Sequence, residues 1–351
     1  MKRLKNIFRE IWESLPAWFM FYITAWTLYN YIACLPEPRY DYAVTFIPPY
    51  AVFLVYYWSR VRSAPEKVSV GAFLAVSGAT SIVLAFTIAL GSPIRLGSDW
   101  PSHADTLITW YEISNIAWTF LLAGHCFAFG GWRRLALFFG VAFLYGMVLE
   151  SSGVTMGYFS EDHYHLYLPG FSAPVATMFG WSTVFYPCVY ILDGIRRGFK
   201  QVGALSFAWQ GLFVAIIALC FDAVIDPFAT AFGLWKWNGA YLPESGMFLF
   251  GVPLLNFISW FSAVFSFGIV FYYFELKKPA WSGAKRAAVM LASLPLVLAV
   301  AAVLEFGSLA AIEGLNGPSW TILKDYFKAG MPMTREPRRG KMPECPMTPR
   351  R

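Results

Sequence analysis

Residues 206–228 read SFAWQGLFVAIIALCFDAVIDPF, an apolar run that holds two aspartates, Asp222 and Asp226, near one end. A helix needs about 20 such residues to cross the hydrocarbon core of a bilayer. Comparable runs recur near 15–35, 42–58, 69–90, 107–129, 135–153, 173–192, 249–274 and 287–312. The pattern predicts an all-α, polytopic bundle of about eight to nine transmembrane helices over residues 1–314. Residues 315–351 are basic and Pro-rich, and are expected to form a disordered tail. Composition points the same way. The 351 residues are 58% hydrophobic, 19% aromatic and 14% charged, which is too little charge to cover a large soluble enzyme.

The charges report topology. With the N-terminus taken as cytoplasmic, the inside loops hold Lys2, Arg3, Lys5, Arg9, Arg60, Arg62, Lys67, Arg133, Arg134, Arg196, Arg197, Lys200, Lys277, Lys278, Lys285 and Arg286. The outside loops hold Arg39, Arg95 and Lys236. This asymmetry follows the positive-inside rule and predicts an integral protein of the cell's inner or plasma membrane. Basic residues set between apolar runs do not form a nucleic-acid face, so no nucleic-acid partner is expected. The ninth run is the exception: by parity it would carry the basic tail outside, which leaves open whether every segment spans.

Cysteine and histidine usage excludes several chemistries. Cys34, Cys126, Cys188, Cys220 and Cys345 are odd in number and show no C-x-x-C spacing, so neither a disulfide framework nor a zinc site is expected. Four histidines, His103, His125, His163 and His165, are far fewer than the clustered boxes of membrane di-iron oxygenases require. The run Glu161-Asp162-His163-Tyr164-His165 has metal-ligating side chains but reads as a solvated loop. A Gly-rich phosphate loop, a dinucleotide fingerprint and a nucleophile elbow are all lacking, so no cofactor is expected and no metal ligand is assigned.

Ionisable groups within apolar helices are costly and mark function by default. Glu112 and Asn115 fall in the outer half of the fourth helix, Glu150 at the outer end of the fifth, Asp222 and Asp226 at that of the seventh, and Asn256 in the outer half of the eighth. Asp222 and Asp226, four apart, share a helix face, and Pro227 loosens the backbone beyond them. The plainer alternative has these carboxylates cap helices or pair with Lys236. Beside them stand Gly233-Leu234-Trp235-Lys236-Trp237-Asn238-Gly239-Ala240-Tyr241 and Gly251-Val252-Pro253-Leu254-Leu255-Asn256-Phe257-Ile258-Ser259-Trp260. Such aromatics form either an interfacial belt or, next to acids, a lining whose ring faces stabilise a cation.

These segments resemble the membrane carotenoid hydratases of the bisanhydrobacterioruberin and γ-carotene types. The similarity rests on Asp226-Pro227, the Gly-x-Trp-x-Trp run, Tyr241, and the Gly-x-Pro-Leu-x-Asn-Phe-x-x-Trp element. It extends to Glu150-Ser151-Ser152-Gly153-Val154-Thr155-Met156-Gly157 and to Trp181, and covers about residues 145–265. Within it, 242–248 reads as an insertion and Ser259 replaces an expected Gly. The resemblance implies addition of water across the terminal C1,2 double bond of an acyclic carotenoid end, giving a tertiary alcohol without a cofactor. Glu150, Asp222 and Asp226 are the expected acid and base, in roles left open among them. Glu112, Trp235, Trp237, Tyr241, Asn256 and Trp260 are expected to line the site for a lipophilic isoprenoid. Alternatives are a non-catalytic carotenoid-binding protein or assembly subunit and, as a minor reading, an intramembrane prenyltransferase. That last family carries two acidic motifs, whereas this chain has one.

Overall fold

A computed structural model describes residues 2–34, 40–63, 100–161, 163–241 and 248–331. The helix expected near 69–90, the sequence insertion at 242–247, Asp162 and the tail from 332 lie outside the described residues. The rest is a helical bundle: α1 (Lys2–Glu13), α2 (Leu15–Cys34), α3 (Ile47–Ser63), α4 (Trp100–Ala136), α5 (Ala142–Met156), α6 (Val175–Gly198), α7 (Phe207–Ala231), α8 (Leu254–Lys277), α9 (Gly283–Ile312) and α10 (Pro318–Lys328). Apolar runs become helices because a chain in hydrocarbon must satisfy its own backbone hydrogen bonds. Five helical stretches, Ile108–Met156, Val175–Gly198, Phe207–Ala231, Leu254–Lys277 and Gly283–Ile312, are long and apolar enough to cross a membrane.

The first of these stretches is two passes, not one. Gly131 has φ 66° and ψ −175°, a left-handed conformation that glycine adopts without strain, and it breaks α4. Side-chain partners show the reversal. Arg134 bonds Asp193 at the end of α6, whereas Glu150 bonds Trp181 near the start of α6. Glu112, on the other side of the break, bonds His165 and Leu166 in the loop that leads into α6. A π-helical turn, Leu137–Val141, joins α4 to α5 and shifts the helical register by inserting an extra residue.

One end of the bundle is tied by ion pairs. Arg60 reaches Glu10 at 2.9 Å and Glu13 at 3.2 Å. Asp193 takes Arg134 at 2.6 Å and Arg196 at 3.1 Å, and Arg286 meets Glu275. The positions that the charge asymmetry groups together therefore gather at one end. The centre is packed by aromatic rings, among them Phe185 against Phe267 at 4.5 Å. Helices α7 and α8 cross closely, since a Cβ built on Gly268 would stand 3.1 Å from the Gly211 Cα. Small residues allow this approach where apolar burial gives helices no net attraction in lipid.

At the opposite end, short ribbons replace helix. Strands β1 (Phe159–Ser160) and β2 (Lys236–Trp237) pair antiparallel, with Phe159 opposite Trp237. The start of the expected eighth helix is instead a hairpin, β3 (Phe248–Leu249) with β4 (Val252–Pro253), turning through positive φ at Phe250 and Gly251. Pro253 favours an extended residue before it, which delays α8 to Leu254. Two further expectations are corrected. The ninth apolar run does cross the bundle, because Gly283 packs on Arg133 at the basic end while Phe306 meets Tyr158 at the other. The tail does not begin as disordered chain: Pro318 starts α10, whose Ser319, Ile322 and Leu323 are buried.

Candidate functional site

A cavity of about 400 Å³ opens within the half of the bundle away from the ion pairs, walled by α2 and α4–α9. That volume suits a small ligand or one end of a longer one. Its wall is mostly apolar and aromatic, and Glu150, Asp226, Asn256 and Glu305 project into it. Helix spacing accounts for part of this convergence. Asn256, Ser259 and Trp260 lie at i, i+3 and i+4 on α8, so one face presents all three to the cavity.

Asp222 sits immediately behind the wall. It is fully buried, and its Oδ1 accepts from the Asn256 Nδ2 at 2.9 Å. Asp222 and Asp226 are hydrogen-bonding neighbours one helical turn apart, and Trp260 also reaches Asp226. Asp222 Oδ2 and Asp226 Oδ1 are buried and receive no donor from the described protein. Glu150 accepts from the Trp181 Nε1 at 2.7 Å and lies close enough to Asp226 for their charges to interact. Trp181 in turn lies 5.1 Å from Trp260, ring centre to ring centre. Among the described residues no lysine, arginine or histidine bonds Glu150, Asp222, Asp226 or Glu305, so the pairing with Lys236 considered from the sequence does not occur. Their partners are neutral donors and one another.

The aromatic candidates divide. Trp235, Trp237 and Trp260 line the cavity, and Trp237 is steadied by its Nε1–Thr230 Oγ1 hydrogen bond of 3.0 Å. Tyr241 lies outside the wall, its hydroxyl 3.0 Å from Ser319 Oγ on α10. Glu112 is also outside it. One of its oxygens accepts from the backbone N–H of His165 and Leu166 and the other contacts His165 Nδ1 at 2.7 Å, which fixes the loop before α6. That loop is not solvated as expected. Glu161 is only 1% exposed, and Thr177 donates to its carboxylate at 3.3 Å. Tyr164 is buried as well, and among the described residues of this run only His165 is largely exposed.

Several wall residues escaped the sequence reading. Trp110, Tyr111, Ser114 and Trp118 form one stripe of α4 with Asn115, which the sequence did single out. Glu305 on α9 is the other omission; its Oε1 accepts from Ser259 Oγ at 2.6 Å. It is the single ionisable group between residues 287 and 312.

The comparison with known families adds the biological setting. Residues 111–318 match the family described as carotenoid biosynthesis protein. The chain belongs to that family. The matched span, more than half of the sequence, runs from Tyr111 on α4 to the first residue of α10 and holds the groups around the cavity except Trp110 and those of α2. No curated protein and no solved structure matches the chain. Family membership assigns a role in carotenoid biosynthesis, and the apolar helices make the protein a membrane protein.

Proposed function

We propose that the protein is a hydratase that adds water to the terminal C1,2 double bond of an acyclic carotenoid end. The observation that carries this reading is the cluster of carboxyl groups, bonded to no cation among the described residues, in an apolar, tryptophan-lined cavity. Protonating an unactivated alkene requires a carboxylic acid that still holds its proton and sits within reach of the carbon. A proton shared between Asp222 and Asp226 supplies it, with Asp226 as the group that touches substrate and Asp222, bonded to Asn256, as its positioning residue. The proton adds to C2 and leaves a tertiary cation at C1. The faces of Trp235, Trp237 and Trp260 stabilise that cation. A water oxygen then bonds C1 and releases its proton to a wall carboxylate, so the net change is addition of one water without oxidation. Glu150, held by Trp181, supports the charge balance beside Asp226.

Anaerobic turnover of a lycopene-type substrate in ¹⁸O-labelled water tests the reading. Labelled tertiary alcohol is the expected product. Incorporation from oxygen gas, or binding of the pigment without turnover, would replace the hydratase with an oxygenase or a carotenoid-binding protein. On the charge asymmetry we further propose that the N-terminus and the ion-paired end face the cytoplasm, with the cavity in the outer half of the membrane. Single cysteines at the exposed positions 165 and 240, in a cysteine-free background, should react with an impermeant reagent on intact cells. Cysteines at 60, 133, 196 and 278 should not.

A further inference from the structure

Glu305 has no assigned task in this chemistry, and its setting calls for one. A lone carboxyl in an apolar spanning stretch, here 287–312, persists where it serves a cavity or a partner. Glu305 lines the same cavity as Asp226, but from α9, on another wall. Its hydrogen bond runs to Ser259, whereas Asp222 bonds Asn256 and Glu150 bonds Trp181. One oxygen is held by Ser259, and the other has no hydrogen-bond partner among the described residues. The Ser259 hydroxyl also lies 2.8 Å from the Leu255 carbonyl oxygen, so its single hydrogen is shared between that oxygen and Glu305. A hydroxyl and a carboxyl oxygen at an apolar wall, apart from the acid pair, make a seat for one water, which needs two or more polar partners to be held in such a place.

We infer that Glu305, oriented by Ser259, holds the nucleophilic water and takes its proton; this rests on the hydratase reading. Asp226 gives a proton to C2, the water on Glu305 forms the C1–O bond, and the proton lost from that oxygen goes to the Glu305 carboxylate. Between turnovers a proton passes from Glu305 back to the aspartate pair through solvent. Acid and base thus act from separate walls, and each half of the addition can be removed by itself. Ser259 is a positioning residue in this arrangement.

The separation is testable in D₂O with full-length protein and an acyclic carotenoid. Protonation of the alkene and its reversal leave deuterium in recovered substrate, whereas capture by water leaves alcohol. In Glu305→Gln, alcohol formation should fall by about 10²-fold while deuterium still enters the recovered alkene. Ser259→Ala should show the same change in partition at about tenfold. Asp226→Asn should lose both deuterium uptake and alcohol. Loss of both in Glu305→Gln with unchanged thermal unfolding, or unchanged alcohol formation, would overturn the role of Glu305. Wild-type protein that neither exchanges deuterium nor makes alcohol would instead remove the hydratase reading, and this inference with it.

Discussion

The two ends of the bundle use the same acidic residues to opposite effect. At the basic end, Glu10, Glu13, Asp193 and Glu275 each meet an arginine. In the other half, Glu150, Asp222 and Glu305 meet an indole, an amide and a hydroxyl. An arginine partner fixes a carboxylate as an anion and ties helices together, but leaves it no proton to transfer. A neutral donor orients a carboxyl and leaves its protonation free to change. The difference separates acids that hold the fold from acids that can perform proton chemistry, and substitutions at each end should break along that line.

The largest expected effect is at Asp226. Asp226→Asn keeps the shape and removes the transferable proton, so hydration should drop by about 10²-fold or more with thermal unfolding in detergent little changed. If Asp226→Asn unfolds the protein while sparing the rate of the surviving fraction, Asp226 belongs with the structural acids. Asp193→Asn should behave in the reverse manner. It strands Arg134 and Arg196 and weakens the acceptor of Tyr272. Fully buried pairs cost several kcal/mol to break; with Arg134 partly exposed, about 2 kcal/mol is expected here, seen as a lower unfolding midpoint at unchanged kcat.

These assignments were unevenly legible. The bundle was plain from the lengths of the apolar runs, and the gathering of basic positions at one end from the loop charges, because both depend on composition over many residues. Glu150, Asp222 and Asp226 stood out as charges inside such runs. Glu305 had the same signature, but the doubt over whether its segment spans hid it; the contact of Gly283 with Arg133 settles that the segment crosses the bundle. The aromatic stripe of α4 was lost among the many aromatics of a membrane chain, since periodicity alone does not say which face meets a cavity. Burial of Glu161 depends on Thr177 across the loop and on Tyr167, whose hydroxyl bonds the Glu161 carbonyl oxygen. Such tertiary contacts leave no local trace. The order of α10 was obscured by the Pro-rich stretch after it, although Pro318 and the buried Ile322 and Leu323 follow ordinary helix rules.

A smaller effect sharpens the role of the neutral donors. Trp181→Phe retains the ring beside Trp260 and removes the N–H that Glu150 accepts. One hydrogen bond to a charged or polarised group contributes about 1.5 kcal/mol, so hydration should fall by about tenfold. The loss should appear in kcat rather than in pigment affinity, because an aromatic ring remains in the cavity wall beside Trp260. A change confined to affinity would show that Trp181 serves only as wall.

The smallest effect is expected at Glu112, which tests the division where sequence and structure differ most. Glu112 lies in the cavity half, among residues first grouped as substrate-binding, yet its oxygens serve the His165 and Leu166 backbone and the His165 ring. Glu112→Gln keeps an oxygen for the backbone donors and replaces the other with an amide, which costs the contact to His165 Nδ1. Because His165 is largely exposed, that contact contributes about 1 kcal/mol or less. Hydration should therefore stay within about threefold of wild type, with a slightly lower unfolding midpoint. A collapse of activity as large as that of Asp226→Asn, with the fold intact, would mean that the loop before α6 positions the cavity acids through Glu112. The boundary between structural and chemical carboxyls would then have to be drawn by what each partner holds in place, and no longer by whether the partner carries a charge.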